Sequence, residues 1–171
     1  DAVTGGFEYE DMFRYLKTGM TGVTAAECDL LENYVIRWDI RGNMWLRDTP
    51  WTLNPDGYGL DLTDERAVRL AEINRIREKV RLPLLALATG LKERPAARDK
   101  ARTLYEFAAD AGVPEALRDK ADALLAAGQV QLAEEYAQLW QIFCGVLDQF
   151  VEILADTELD GEEFARLLRL V

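Results

Sequence analysis

The chain has 171 residues, 49% hydrophobic and 30% charged, enough apolar material for a core without metals or disulfides and too much for a disordered segment. It contains no histidine, which excludes Ser-His triads, imidazole acid–base chemistry and nearly all common transition-metal sites. The net charge of −11 falls unevenly: residues 61–113 carry eleven Lys/Arg against nine Asp/Glu, whereas residues 114–171 carry four against twelve, so only the middle suits nucleic acid.

Helical signals recur from end to end, with no period-two strand. Tyr9 to Lys17 places Met12, Phe13 and Leu16 on one side before Thr18-Gly19 stops it. Thr24 followed by Glu27 predicts a capping-box start, with Cys28, Leu31, Val35 and Trp38 at helical spacing to about Asp39. From about residue 40 to 62 the pattern lapses into Gly, Pro, Asn and Asp, as in a long ordered loop. Trp45, Trp51 and Tyr58 in that loop are expected to pin it to the helical body, because large rings are costly to leave in water. Gly42 is expected to allow the turn that folds Trp45 back.

Helical spacing resumes at Thr63 or Asp64 through Val68, Ile73, Ile76 and Val80, and Pro83 is expected to kink or break it before "LLALATGLK" continues. Pro95 and Pro114 read as first-turn prolines and Gly112 and Gly128 as helix ends, predicting helices over about 95–111 and 114–127. The longest helix is expected over Gln129–Ala155, with a broad apolar stripe from Leu132 to Leu154. Asp160 and Glu163 cap a last one through Leu168. The expectation is a single all-α domain over 1–171, of about seven helices, whose apolar terminus "LLRLV" suggests a piece of something longer. No apolar run approaches the ~20 residues of a membrane span and the start lacks a signal-peptide pattern, so a cytoplasmic location is expected.

Catalytic constellations are sparse. No phosphate loop, G-x-S-x-G, H-E-x-x-H or EF-hand occurs; "LKTG" at Leu16–Gly19 reads as a helix end, and the acidic run Asp156–Glu163 as a turn and helix start. Cys28 and Cys144 lie on apolar stripes and read as buried, reduced thiols. The chain is therefore expected to be non-enzymatic, with no cofactor or metal of its own. In "ERAVRLAEINRIREKVR", Arg66, Arg69 and Arg77 share roughly one side of a helix while Asn74, Arg75 and Arg81 read as lying elsewhere. That helix is either an exposed one laced by i,i+4 pairs such as Glu65–Arg69 or a phosphate-contacting face.

The segments "YEDMFRYLKTG", "ECDLLENYVIRWDIRGNMW" and "AEINRIREKVRLPL", in this order and spacing, resemble the AddB (RexB) subunit of bacterial ATP-dependent helicase-nucleases, most specifically over Phe7–Leu84. The resemblance implies an accessory helical insertion of a UvrD-like superfamily-1 helicase. It also implies a parent complex with an AddA-like partner that resects double-strand breaks in recombination repair. ATP, Mg and an iron-sulfur cluster would then belong elsewhere in the polypeptide. On this reading Arg37, Arg41, Arg66, Arg69 and Arg77 are candidates for DNA or partner contact, and Trp38, Gly42 and Trp45 are structural anchors. The rival readings are a helical protein-interaction domain without DNA contact and an independent carboxylate enzyme.

Overall fold

The computed structural model describes residues 1–171 and is all-α, with seven helices and no strand beyond a single antiparallel bridge between Ala96 and Glu158. The helices are α1 (Tyr9–Leu16), α2 (Ala25–Trp38), α3 (Asp64–Glu93), α4 (Ala97–Asp110), α5 (Val113–Ala126), α6 (Val130–Leu154) and α7 (Gly161–Leu168). Two compact units, Asp1–Leu85 and Ala86–Val171, divide inside α3, where no change of composition marks a boundary. No helix is long and apolar enough to cross a membrane.

In the first unit, α2 begins as its sequence dictates. The Thr24 hydroxyl accepts from the Glu27 N–H and the Glu27 carboxylate accepts from the Thr24 N–H, satisfying two donors that a helix start otherwise strands. Met12, Phe13, Leu16, Leu31, Val35, Ile73, Ile76 and Val80 are buried at the spacings expected of amphipathic helices. The long loop between α2 and α3 holds one 3-10 turn, Gly42–Met44. Gly42 has φ +57, the left-handed region where a side chain would be strained, and its N–H donates to the Phe7 carbonyl at 3.2 Å. Trp45 follows directly and is buried.

Two expectations for this unit are corrected. Tyr58 does not pin the loop: it is 94% exposed, held between Gly57 and Gly59, whose φ of +128 and +74 turn the chain outward. Of the two outcomes expected at Pro83, a kink or a break, the break does not occur: α3 runs through it to Glu93. Val80, Leu84, Leu87 and Leu91 are all buried along this stretch, and that burial outweighs the one hydrogen bond a proline removes.

In the second unit α6 packs against α4 and α5, and α7 packs on α6 through an edge-to-face contact of Phe150 and Phe164 at 5.2 Å. The chain after α6 clips the start of α4, with Ala97 N–H donating to the Thr157 carbonyl and Leu159 N–H to that of Pro95. Pro95 therefore lies ahead of the α4 N-cap, Ala96, instead of in its first turn; Pro114 is the second residue of α5. Lys100 is buried on α4 and donates to the Leu91 carbonyl, closing an open group at the end of α3. Asp160 and Glu163 form the expected capping box of α7. The apolar stripe of α6 is only partly used: Ala133, Leu147 and Phe150 are buried, whereas Leu132 and Leu139 are exposed. Cys28 is a buried free thiol; Cys144 is only half-buried, also a free thiol.

Candidate functional site

Three of the expected site residues, Arg66, Arg69 and Arg77, meet the long loop at the seam where it lies along α3 within the first unit. Asp56 receives two arginines, with Arg66 Nε at 2.8 Å from one carboxylate oxygen and Arg69 Nη1 at 2.7 Å from the other. These cations hold the Asp56 carboxyl below its ordinary range, the hydrogen bond from Arg66 contributing most. Arg66 also donates to the Asp61 carbonyl at 2.8 Å. The predicted Glu65–Arg69 pair is present at 3.6 Å, longer than the Arg69 contact with Asp56.

Further along α3, Asn74 bonds the backbone of Trp51 twice, accepting from its N–H at 2.8 Å and donating to its carbonyl at 2.9 Å. Arg77 is buried with 1% exposure, donates to the carbonyls of Arg47 and Trp45, and sets its guanidinium 5.1 Å from the Trp51 ring centroid. Burial pushes the Arg77 pKa down, but an arginine starts so high that it stays charged. Arg81 holds Glu78 through two nitrogens and reaches Asp48 at 3.4 Å.

Arg66, Arg69, Asn74, Arg77 and Arg81 thus all meet the loop, so the arc facing it is wider than helical spacing alone suggests: Asn74 and Arg81 join it because long or bifunctional side chains reach round a helix. Arg75 is the one that turns elsewhere, to Glu72 and to Glu27 of α2, both at 2.6 Å. Lys79 joins it on Glu27 at 2.9 Å.

From α2, Arg37 donates to the Pro55 carbonyl at 2.7 Å, the half-buried Trp38 indole N–H to the Asn54 carbonyl at 3.1 Å, and the Tyr34 hydroxyl to the Leu53 carbonyl at 3.1 Å. Arg41 is exposed and pairs with Asp39 at 2.9 Å. Trp51 stacks on Tyr34 at 5.3 Å and meets Trp45 edge-on at 5.4 Å, while Trp45 contacts Phe13 at 6.2 Å. Beside the stacked pair a half-open cleft of about 290 Å³ is lined by Tyr34, Met44, Arg47, Thr49 and Trp51 among others.

The seam is a preorganised platform. Its carbonyls and carboxylates are met by α2 and α3, and it leaves Tyr58, Arg41 and part of Arg69 facing water. Reading by sequence missed Asp56, Asn54 and Asn74 as loop organisers; the Asn-Pro-Asp-Gly run was the available signal for the first two, since such residues bond backbone in turns. Nothing local marks Asn74, whose partner lies 23 residues away.

Over nearly its whole length the chain is similar to proteins named as the B subunit of an ATP-dependent helicase/deoxyribonuclease. It is 37% identical over 99% of its length to the one of Acetivibrio thermocellus, and 36% identical over 98% to that of Ruminiclostridium cellulolyticum. With that of Caldanaerobacter subterraneus it shares 34% over 96%. The chain is homologous to a segment of this helicase/deoxyribonuclease family. It spans 15% of the length of the first two relatives. No family model matches it. The match runs through both units, so the relationship to the helicase/deoxyribonuclease family covers the loop platform and the helices that follow it alike.

Proposed function

We propose that this segment is a non-catalytic accessory part of an AddB-like subunit, shaping the path of DNA in an ATP-dependent helicase/deoxyribonuclease and contacting neighbouring domains and an AddA-like partner. The observation that carries the reading is the unbroken similarity to the helicase/deoxyribonuclease relatives across 96–99% of the chain. The platform supports it physically. A loop of more than twenty residues is held by side-chain bonds to two helices, which sets exposed groups in place before any contact forms and lowers the ordering cost of contact. Such a segment works by position, and the chemistry of ATP hydrolysis and strand cleavage would belong to the rest of the assembly.

The second reading, a protein-interaction domain without DNA contact, is favoured by one observation: Arg66, Arg69 and Arg77 already have partners within their own unit. The test uses Arg41→Ala and Arg69→Ala in the assembled helicase-nuclease. A DNA-facing platform gives weaker duplex binding, with a salt slope shallower by about one for every phosphate that the variant no longer neutralises. Unchanged affinity and slope in a complex confirmed as assembled would leave the interaction reading in its place. Arg77 is unsuitable for this test, because its removal empties a buried site.

A further inference from the structure

The chain has two Asp–Gly bonds, Asp56–Gly57 and Asp160–Gly161. Aspartate followed by glycine is prone to rearrange, because the glycine nitrogen is unhindered and its backbone turns freely. The nitrogen attacks the side-chain carboxyl carbon, the amide proton and the carboxyl hydroxyl leave as water, and a succinimide ring closes. Water then reopens the ring at one of its two carbonyls. Opening at the main-chain carbonyl leaves isoaspartate, in which the backbone runs through the former side chain, and no oxidant or cofactor is consumed.

The two bonds are held differently. Asp160 caps α7, where its carboxylate accepts from the Glu163 N–H at 2.8 Å and Gly161 is the first helical residue, so the helix itself fixes both groups. Asp56–Gly57 is half-buried in the long loop, outside any helix. The structure keeps this labile pair in place: Gly57 has φ +128, a conformation that favours glycine, and the Asp56 carboxylate is the common partner of two arginines.

Side chains and one turn restrain the reacting atoms. Asn54 takes both backbone donors, the Asp56 N–H on its side-chain oxygen at 2.9 Å and the Gly57 N–H on its carbonyl at 3.1 Å. Arg66 and Arg69 each hold one oxygen of the carboxylate, at 2.8 and 2.7 Å, so the carboxyl is tied to α3 while the nitrogen is tied to Asn54. The same cations keep the Asp56 carboxyl below its ordinary range, the Arg66 hydrogen bond first, which depletes the protonated form that can release water.

We propose that Asp56–Gly57 is an isoaspartate-forming modification site gated by Arg66 and Arg69: closed while both hold the carboxylate, open once they are drawn away from it. Isoaspartate adds a methylene to the main chain two residues before Tyr58, so the modification breaks the geometry of the clamp and displaces the exposed ring. The proposal requires no DNA contact by the segment.

The test ages the full-length polypeptide at neutral pH, native and in urea. Isoaspartate at positions 56 and 160 is followed by peptide mapping, with methyl transfer by a protein isoaspartyl methyltransferase as the probe. Native wild type is expected to convert Asp56 at least about tenfold more slowly than the urea-unfolded chain, because reaction waits for the loop to open. Arg66→Gln with Arg69→Gln is expected to recover most of the urea rate at Asp56 and to leave Asp160 slow. Maleimide labelling of the buried Cys28 thiol checks that the first unit stays folded. If Cys28 becomes reactive in the double variant, Arg69→Gln alone is read, with Arg66 still joining Asp56 to the Asp61 carbonyl; conversion at Asp56 is then expected to rise at least about twofold. Native wild type that ages at Asp56 as fast as in urea overturns the proposal. So does a folded variant that ages there as slowly as wild type, since the Asn54 turn would then protect the bond without the arginines.

Discussion

At the scale of single residues, the fate of each aromatic in the loop depends on what faces it. Trp45 and Trp51 are buried against Phe13 and Tyr34, whereas Tyr58 stands in water between two glycines. Trp45→Ala is therefore expected to cost about 3 kcal/mol, as truncation of a buried large ring does, and Tyr58→Ala to stay within about 0.5 kcal/mol, both measured by urea denaturation. Glu27 yields a pH prediction. Its carboxylate accepts from the Thr24 N–H, Lys79 and Arg75, and the Thr24 hydrogen bond contributes most to holding its pKa at about 2, below the ordinary 4.5. A carboxyl depressed on folding stabilises fully above its unfolded pKa and loses that contribution as pH falls through the folded one. The stability gap between wild type and Glu27→Gln is expected to be constant near neutrality and to narrow between about pH 4.5 and pH 2. A gap that stays constant over that window would mean the carboxylate is unperturbed.

At the scale of elements, α3 shows how packing reverses local expectation twice. Pro83 sits inside it without ending it, and Gly90, a poor helix residue, is required where it is. A Cβ on Gly90 would lie 2.5 Å from Thr103 Cγ2 of α4. Thr103 has little freedom to move, since its hydroxyl donates to the Asp99 carbonyl and accepts from Arg94. In an exposed helix Gly→Ala stabilises by roughly 1 kcal/mol. Here Gly90→Ala is expected to destabilise by about 1–3 kcal/mol through overpacking, a change of sign that thermal or urea melting detects. The caps behaved differently: Thr24–Glu27 and Asp160–Glu163 were legible as four-residue patterns because both partners lie within one turn.

At the scale of the whole chain, charge and its pairing decide what can be approached. The basic excess of residues 61–113 is small, and much of it is spent on Asp56, Glu27, Glu72, Glu78 and loop carbonyls. Little unpaired positive charge is left to meet phosphate, and the net charge of −11 opposes approach elsewhere. The 171-residue chain by itself is expected to bind duplex DNA no more tightly than about 10⁻⁴ M at physiological salt, read by fluorescence anisotropy. Micromolar binding by the isolated chain would show that pairing within the seam leaves the arginines available.

Helix number, order, caps and most boundaries were written in local pattern, because amphipathic spacing and capping act within one or two turns and need no knowledge of what lies opposite. The resemblance carried by "ECDLLENYVIRWDIRGNMW" was likewise readable in the residues alone. Three things were not. The arginine face of α3 is aimed at the loop, and so is the Asn74 clamp, because a loop returning antiparallel to a helix brings together residues far apart in sequence. Tyr58 points outward because φ at two glycines, not hydrophobicity, sets the direction of that turn. The unused side of α6 looks like core in sequence, since spacing shows that a face is apolar but not whether α4 and α5 are wide enough to cover it. Burial is a property of neighbours, and neighbours exist only once the chain has folded.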